Sequence, residues 1–450
     1  MNPFGSVMSE SLLLERPHGV DAPTPRKRTI RIALAGCGTV GGALLQLLRE
    51  RAGAIEATHG LHAEVVGILV RDASRPRAPG VASDLITDDV DAFLAVDCDV
   101  VIEAIGGLEP AHRIACHALA AGRSFITANK ALVAAHGEEL ERIARERNVS
   151  FFYEAAVAGG VPIVRVLRDS LLHTGIRSIL GILNGTTNYI LTRMGDGVSL
   201  AAALAEAQAQ GFAEADPSRD LDGRDAADKI AILAWQTFGI PPSTLQVERS
   251  GLLPEPEEVV RTADAFGGTV RLVAECLRTP GGVTASVEPV VVAWDSEFAR
   301  TPAEENLVVI ETEAAGTIRL SGPGAGGSAT ASAILADLLH AAAGRPAPAG
   351  TAPDRAPASS TFRNTPDPRR HRWAIRVEGT REIRAAAQFA AERVGIELYE
   401  PVGAWRHGAY HALTPPISRT LAGVLARALE AAGARAVVLR YVVEGVGRRD

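Results

Sequence analysis

Apolar positions in the first third of the chain fall in short unbroken runs, with amphipathic stretches between them. The segment RTIRIALAGCGTVGGALLQLLRE (28–50) sets the pattern: Ile30, Ile32, Ala33, Leu34 and Ala35 make a strand, and three glycines follow. Val40, Leu44, Leu47 and Leu48 then recur at helical spacing. AEVVGILV (63–70), DVVIEAIGG (99–107), RSFITANK (123–130) and VSFFYEAA (149–156) read as further strands. Strands this continuously apolar, alternating with helices, predict a parallel sheet covered on both faces. The expected class is α/β, with a Rossmann-type doubly wound parallel sheet over 29–150.

From about residue 160 the rhythm changes. RSILGILNGTTNYILTRM leads into helices near 200–210 and 225–238, and VEPVVVAW, NLVVIETEAAG and TIRLSG then read as strands. The expectation is an inserted α+β substrate-binding and dimerisation domain over 151–320. A second glycine turn, SGPGAGGSATASA, feeds a small-residue helix over 321–345, expected to return to the first domain and complete it. Residues 346–370 are rich in Pro, Ala, Ser and Arg and read as a linker. In 371–450 the order is βαββαβ, which predicts a small ferredoxin-like module or, alternatively, a packing extension with no ligand. Residues 1–28, polar and Pro-rich, read as a disordered lead-in.

Composition narrows the class. The 450 residues are 47% apolar and 22% charged, with a net charge of −7, ordinary for a soluble globular protein. The negative balance argues against nucleic acid or an anionic membrane as the main partner. No apolar run is long enough to span a bilayer. Cys37, Cys98, Cys116 and Cys276 form no CxxC pair, so a reducing, cytoplasmic setting is expected.

Candidate chemistry begins at the first glycine turn. Gly36, Gly38 and Gly41, with Thr39 and Val40 between them, match GxGxxG between a strand and a helix. Such a turn brings backbone against a pyrophosphate, which sits at the positive helix N-terminus. The second strand ends in ILVRDASRPR, so Arg71 stands where an NAD site usually has an acid, with Arg75 and Arg77 behind it. A guanidinium there holds a 2′-phosphate, which favours NADP(H). Asp72 keeps NAD(H) open, and a solvated loop is the plain alternative.

The segment QGFAEADPSRDLDGRDAADKIAIL (210–233) gathers Glu214, Asp216, Asp220, Asp222, Asp225 and Asp228 at the mouth of an apolar helix. Asp222 sits where an N-cap is expected, and Asp225 and Lys229 stack one turn apart. Two readings stand here. Acids at a helix N-terminus suit its dipole, and the pair is then a surface ion bridge. Alternatively, the lysine is a proton donor to a carbonyl undergoing reduction, steadied by its aspartate, and the other acids hold a cationic substrate group.

Taken together these stretches resemble homoserine dehydrogenase over roughly 29–345: GCGTVGG (36–42), TANKALVA (127–134), YEAAVAGGVPI (153–163), GILNGTTNYIL (181–191), the acidic segment and SGPGAGGSATASA (321–333). GILNGTTNYIL and the acidic segment are the most specific. The resemblance implies reversible reduction of aspartate 4-semialdehyde to L-homoserine, in the biosynthesis of threonine, methionine and isoleucine. It implies Lys229 as proton donor with Asp225 beside it, and Lys130 near nicotinamide and substrate. Glu214, Asp220, Asn184 and Thr186 would bind substrate, and Gly324 and Gly326 of the second turn would close on the cofactor. Glu154, with the carbonyls of Val157, Gly159 and Val161, would hold a monovalent cation such as Na⁺. A monofunctional homodimer is implied, its tail akin to an ACT module. That tail departs from the family at VEGTREI (377–383), where the usual DxPG turn lacks its Pro and Gly, so binding of a feedback amino acid is left open. Two other readings are carried forward: another amino-acid semialdehyde reductase on this fold, and a catalytically silent NADP-binding regulator.

Overall fold

The computed structural model describes residues 28–75, 82–252, 255–344, 363–364 and 367–442. The expected lead-in, Arg77 and most of the expected linker lie outside them.

The apolar runs become six parallel strands: β1 (Arg28–Ala35), β2 (Leu61–Leu69), β3 (Ile86–Thr87), β4 (Val100–Glu103), β5 (Ser124–Thr127) and β6 (Phe151–Phe152). Their order is β3-β2-β1-β4-β5-β6, so the sheet reverses direction between β1 and β4. In such a sheet ligands bind at that crevice, beyond the carboxyl ends of the strands. Ile32, Leu34 and Ala35 are almost fully buried because helices cover both faces. On one face helix Thr39–His59 packs Leu44 and Leu48 against Ala331, Ile334 and Leu338 of helix Gly327–Ala342. The late helix thus packs on the helix that follows β1. On the other face helices Ala111–Ala120 and Lys130–Arg147 bury Ala115, Leu119, Leu132 and Leu140 against Phe125.

A second, mixed sheet follows the strand order Thr317–Pro323, Glu305–Thr312, Ile176–Ile182, Gly268–Thr279, Gly282–Ala293, Arg435–Val442, Arg370–Glu378, Ala409–Leu413 and Trp405–Arg406. The strand Gly268–Thr279 is absent from the sequence reading, which begins the strands at 283. Its apolar positions do alternate, but Arg271 and Glu275 between them are only 2% exposed, and their partners are remote in sequence. In the tail, the second of the four strands in the expected βαββαβ order is reduced to a single bridge, Tyr399 to Leu413, and Trp405–Arg406 takes the place beside Ala409–Leu413. The last strand does not close on the tail alone. It pairs in parallel with Val290–Val292, so tail and middle region share one continuous sheet.

Candidate active site

The first glycine turn follows β1 directly. Gly36 adopts φ 104°, and a Cβ there would lie 2.5 Å from the Ala104 carbonyl oxygen. At Gly41 a Cβ would stand 1.9 Å from the Gly36 carbonyl oxygen, so only glycine lets helix Thr39–His59 start this close to the strand. Gly38 differs: a Cβ on it would meet nothing within 4 Å, and its outer face is open. It caps the helix without a side-chain bond, which leaves the N-terminal amides of a 21-residue helix free to meet an anion. This cradle fits the pyrophosphate of a dinucleotide. The second turn lies beside it, since a Cβ on Gly327 would come within 2.9 Å of the Thr39 carbonyl oxygen. Gly324 packs on Gly159, and Gly326 precedes the helix at φ 104°. Arg71 is exposed just past β2 and makes no ion pair among the described residues. Asp72 turns back to accept from the Ser74 amide and hydroxyl.

At the carboxyl end of β4, the buried Glu103 accepts from the amides of Ile105 and Gly106 and from the Thr127 hydroxyl. Burial pushes its carboxyl up from the ordinary value despite those bonds. Asn129, past the end of β5, caps the next helix through Leu132 N–H and donates to the Gly107 carbonyl. Lys130 is therefore held at the start of helix Lys130–Arg147. It sits two strands from the glycine turn on the same sheet edge, about 10 Å at ~4.8 Å per strand.

Lys130 meets the acidic helix there. Its Nζ lies 2.9 Å from Asp225 Oδ1, while Lys229 Nζ lies 2.7 Å from Asp225 Oδ2. Lys229 also donates to the Leu183 carbonyl at 2.7 Å, and its side chain is 12% exposed. Asn184 donates at 2.7 Å to both Asp225 and Asp220. Burial works against the charged form of Asp225, but the Lys229 and Lys130 ammoniums outweigh it and hold the carboxyl well below its usual range. For Lys130, burial is in turn outweighed by Asp225, then Asp220 and Asp228, so its ammonium is held above the usual value. Burial pushes Asp220 up despite its Asn184 bond.

The remaining acids part company. Asp222 is not the N-cap of helix Arg224–Phe238: Gly223 is, in the left-handed region at φ 79°. That reversal turns Asp222 outward to Arg224 and Arg249 and Asp225 inward. Asp228 pairs with Arg219 at 2.6 Å, and Asp216 accepts from the Ser218 amide. Glu214 is exposed. The loop bearing it is tied down by Thr186, whose hydroxyl donates to the Phe212 carbonyl. Glu154 is buried, and its two oxygens accept the amides of Val164 and Arg165. Its own loop, through Val157, Gly159 and Val161, lies against the second glycine turn, with Gly160 N–H bonded to the Pro323 carbonyl.

Comparison with known proteins bears on this arrangement. The family model for the homoserine dehydrogenase NAD-binding domain matches residues 36–154, and the homoserine dehydrogenase model matches 162–339. The Corynebacterium glutamicum homoserine dehydrogenase is 41% identical over 344 residues, covering 75% of this chain and 76% of that protein. This chain belongs to the homoserine dehydrogenase family. The homoserine dehydrogenase from Mycobacterium tuberculosis is 39% identical over 71% of this chain and 74% of its own. The crystal structure of one from Thiobacillus denitrificans superposes with a TM-score of 0.81 at 31% identity, covering 93% of this chain and 99% of that one. A hyperthermophilic archaeal homoserine dehydrogenase, solved in complex with NADPH, gives 0.62 at 30% identity over 71% and 99%.

The protein is thus a homoserine dehydrogenase-family oxidoreductase with a nicotinamide cofactor-binding domain. Both glycine turns, Lys130, Asn184, Asp225 and Lys229 fall inside the matched segments, whereas 371–442 lies beyond both family models. Two features escaped the reading of the sequence. Lys130 shares Asp225 with Lys229, and Asn184 joins Asp220 to Asp225. No local signal announces either contact, because the partners come from three separate segments. No helix among the described residues is long and apolar enough to cross a membrane.

Proposed function

We propose that this protein interconverts aspartate 4-semialdehyde and L-homoserine with NADP(H), and that Lys229 delivers the proton. The observation that carries the reading is the Lys130–Asp225–Lys229 bridge, placed on the sheet edge that also bears the glycine cradle. The bound nicotinamide supplies the reducing equivalent. Lys229 donates a proton to the substrate oxygen as negative charge builds on it, and takes it back in the reverse direction. Asp225 keeps the ammonium aimed, and the Leu183 carbonyl fixes its second hydrogen. Lys130 adds positive charge on the same side. Asp220 commits one oxygen to Asn184, which leaves the other for the substrate ammonium, with Glu214 at the loop edge.

Gly36, Gly38, Thr39, Val40 and Gly41 would hold the pyrophosphate, and Gly324 and Gly326 would border the nicotinamide. The unpaired Arg71 would take the 2′-phosphate, with Asp72 already engaged by Ser74. A monovalent cation such as Na⁺ would be held by the loop carbonyls of Val157, Gly159 and Val161 near Glu154, whose two oxygens also accept the Val164 and Arg165 amides. We place the enzyme as a homodimer in the cytoplasm, where its four free cysteines stay reduced. The reaction would serve the branch leading to threonine, methionine and isoleucine.

The test is oxidation of L-homoserine with NADP⁺ at alkaline pH, followed through the absorbance of reduced nicotinamide. Lys229→Ala is expected to lower kcat by about 10²–10⁴-fold. No turnover by the wild-type protein would overturn the reaction, and undiminished turnover by the variant would overturn the role of Lys229.

A further inference from the structure

We propose that His112, Cys116 and Glu139 form a zinc site, with water as the fourth ligand, away from the Lys130–Asp225–Lys229 cluster, that bolts together the helices following β4 and β5, and that His136 covers it by stacking on His112. His112 and Cys116 lie one turn apart on helix Ala111–Ala120, and His136 and Glu139 lie one turn apart on helix Lys130–Arg147. Packing of the two helices brings the four side chains together. His112 Nε2 is 3.0 Å from Glu139 Oε2 and 3.3 Å from Cys116 Sγ. One ligand atom from each of His112, Cys116 and Glu139 lies within 4.8 Å of the others. His136 stacks on His112 with ring centroids 3.9 Å apart, and its Nδ1 is 3.7 Å from the same Glu139 oxygen.

Two of these spacings, 3.0 and 3.3 Å, lie near what tetrahedral zinc requires. Bonds of ~2.0–2.1 Å to nitrogen, ~2.0–2.2 Å to oxygen and ~2.3 Å to sulfur separate tetrahedral ligand atoms by roughly 3.3–3.6 Å. Small rotamer adjustments therefore admit an ion. An imidazole, a thiolate and a carboxylate suit zinc better than a hard cation such as Mg²⁺.

The surroundings add two arguments. His112 Nδ1, the nitrogen not offered to the metal, is 3.7 Å from Glu109 Oε1, so a small rotation of that exposed side chain would bring it to hydrogen-bond distance, where a carboxylate orients a ligating histidine. Moreover, neither Glu109 nor Glu139 has a lysine or arginine partner among the described residues. The pocket is thus negative and lacks a cation. Metal binding forms the Cys116 S–metal bond, breaks S–H and releases one proton to solvent. The site is half-exposed, so the ion can enter without unfolding.

Cobalt(II) is the probe, added to chelator-treated full-length protein free of nicotinamide. One equivalent per chain is expected to give the strong visible absorption of tetrahedral cobalt and a thiolate-to-cobalt charge-transfer band, both bleached by zinc. Cys116→Ser should abolish the charge-transfer band while leaving homoserine oxidation and the circular dichroism spectrum unchanged, which shows the fold intact. Glu109→Gln should weaken cobalt binding about tenfold. Absence of a tetrahedral spectrum in the wild-type protein overturns the site. So does a charge-transfer band that survives in Cys116→Ser, because the ion would then sit on another cysteine.

Discussion

Replacing Asp225 by asparagine isolates one charge. The residue is 4% exposed, and its carboxylate gathers Lys229 at 2.7 Å, Lys130 at 2.9 Å and Asn184 at 2.7 Å. Asparagine has nearly the same shape, so packing persists while the negative charge disappears. Its amide offers one acceptor oxygen where three donors converge, and its NH₂ must face a donor. Removing one partner of a buried ion pair costs about 3–5 kcal/mol. The loss divides unequally. The Lys130 side chain is 36% exposed, so water rescues most of its share, which falls to below about 1 kcal/mol. Lys229, at 12%, keeps only the Leu183 carbonyl, and about 3 kcal/mol therefore falls on its ammonium. If that energy is what holds the ammonium in its reactive place, the loss amounts to about 10²-fold in kcat. Initial rates of homoserine oxidation, with kcat and KM resolved for both substrates, provide the assay. The cofactor KM should stay near wild type, since Asp225 touches no glycine-turn residue. A kcat within threefold of wild type would refute the reasoning, because both lysines would then hold position without their shared counter-charge.

Arg71→Asp should lower the ratio of kcat/KM with NADP⁺ to that with NAD⁺ at least tenfold, and an unchanged ratio would make the arginine a bystander. Burial and then the neighbouring Asp337 push Glu154 up to about 7, and burial pushes Asp337 up to about 6. Both hold protons in the fold that the unfolded chain has released. Their stabilisation is complete below the unfolded values and is lost as pH rises through 6 to 7. Glu154→Gln should therefore flatten the fall of Tm between pH 5 and 8, and parallel profiles would count against it. Glu275→Gln should cost about 3–5 kcal/mol in urea unfolding, since it strands the buried Arg440 2.6 Å away. A loss under about 1 kcal/mol would show that Glu288 alone satisfies that guanidinium.

What was legible in the sequence follows from the range of the interactions. The parallel sheet announced itself because both its faces are covered, and its strands therefore read as unbroken apolar runs. The glycine turn was legible because backbone clearance at Gly36 and Gly41 admits no side chain. The acidic helix could be placed, but not the direction its acids face. That depends on the left-handed Gly223, which separates a four-residue helix from the next and sends Asp222 and Asp225 opposite ways. The Lys130–Asp225 contact was out of reach for a related reason. Lys130 is positioned by β5 and the Asn129 cap, Asp225 by that glycine reversal, and only tertiary packing brings them together. Buried charges hid the strand Gly268–Thr279 in the same way. Arg271 finds the Phe298 and Ala299 carbonyls, and Glu275 finds Arg369 and Arg440.

Those hidden charges explain how the tail is attached. Arg440 on the last strand pairs with Glu275 at 2.6 Å, and Arg419 on a tail helix reaches Glu288 through both guanidinium nitrogens. Arg440 and Glu275 are each 3% exposed as side chains, so the pair gains little over an apolar contact of the same size. Its value lies in register. A one-residue slip of strand Arg435–Val442 would send Arg440 to the opposite face, among the apolar side chains around Leu439, and leave Glu275 without its partner. The same strand that carries Glu275 pairs Leu180 opposite it, and three residues on, Leu183 presents its carbonyl to Lys229. The charges that seat the tail therefore also pin the strand that aims the Lys229 ammonium, and a tail seated in the wrong register would disturb the site through that strand.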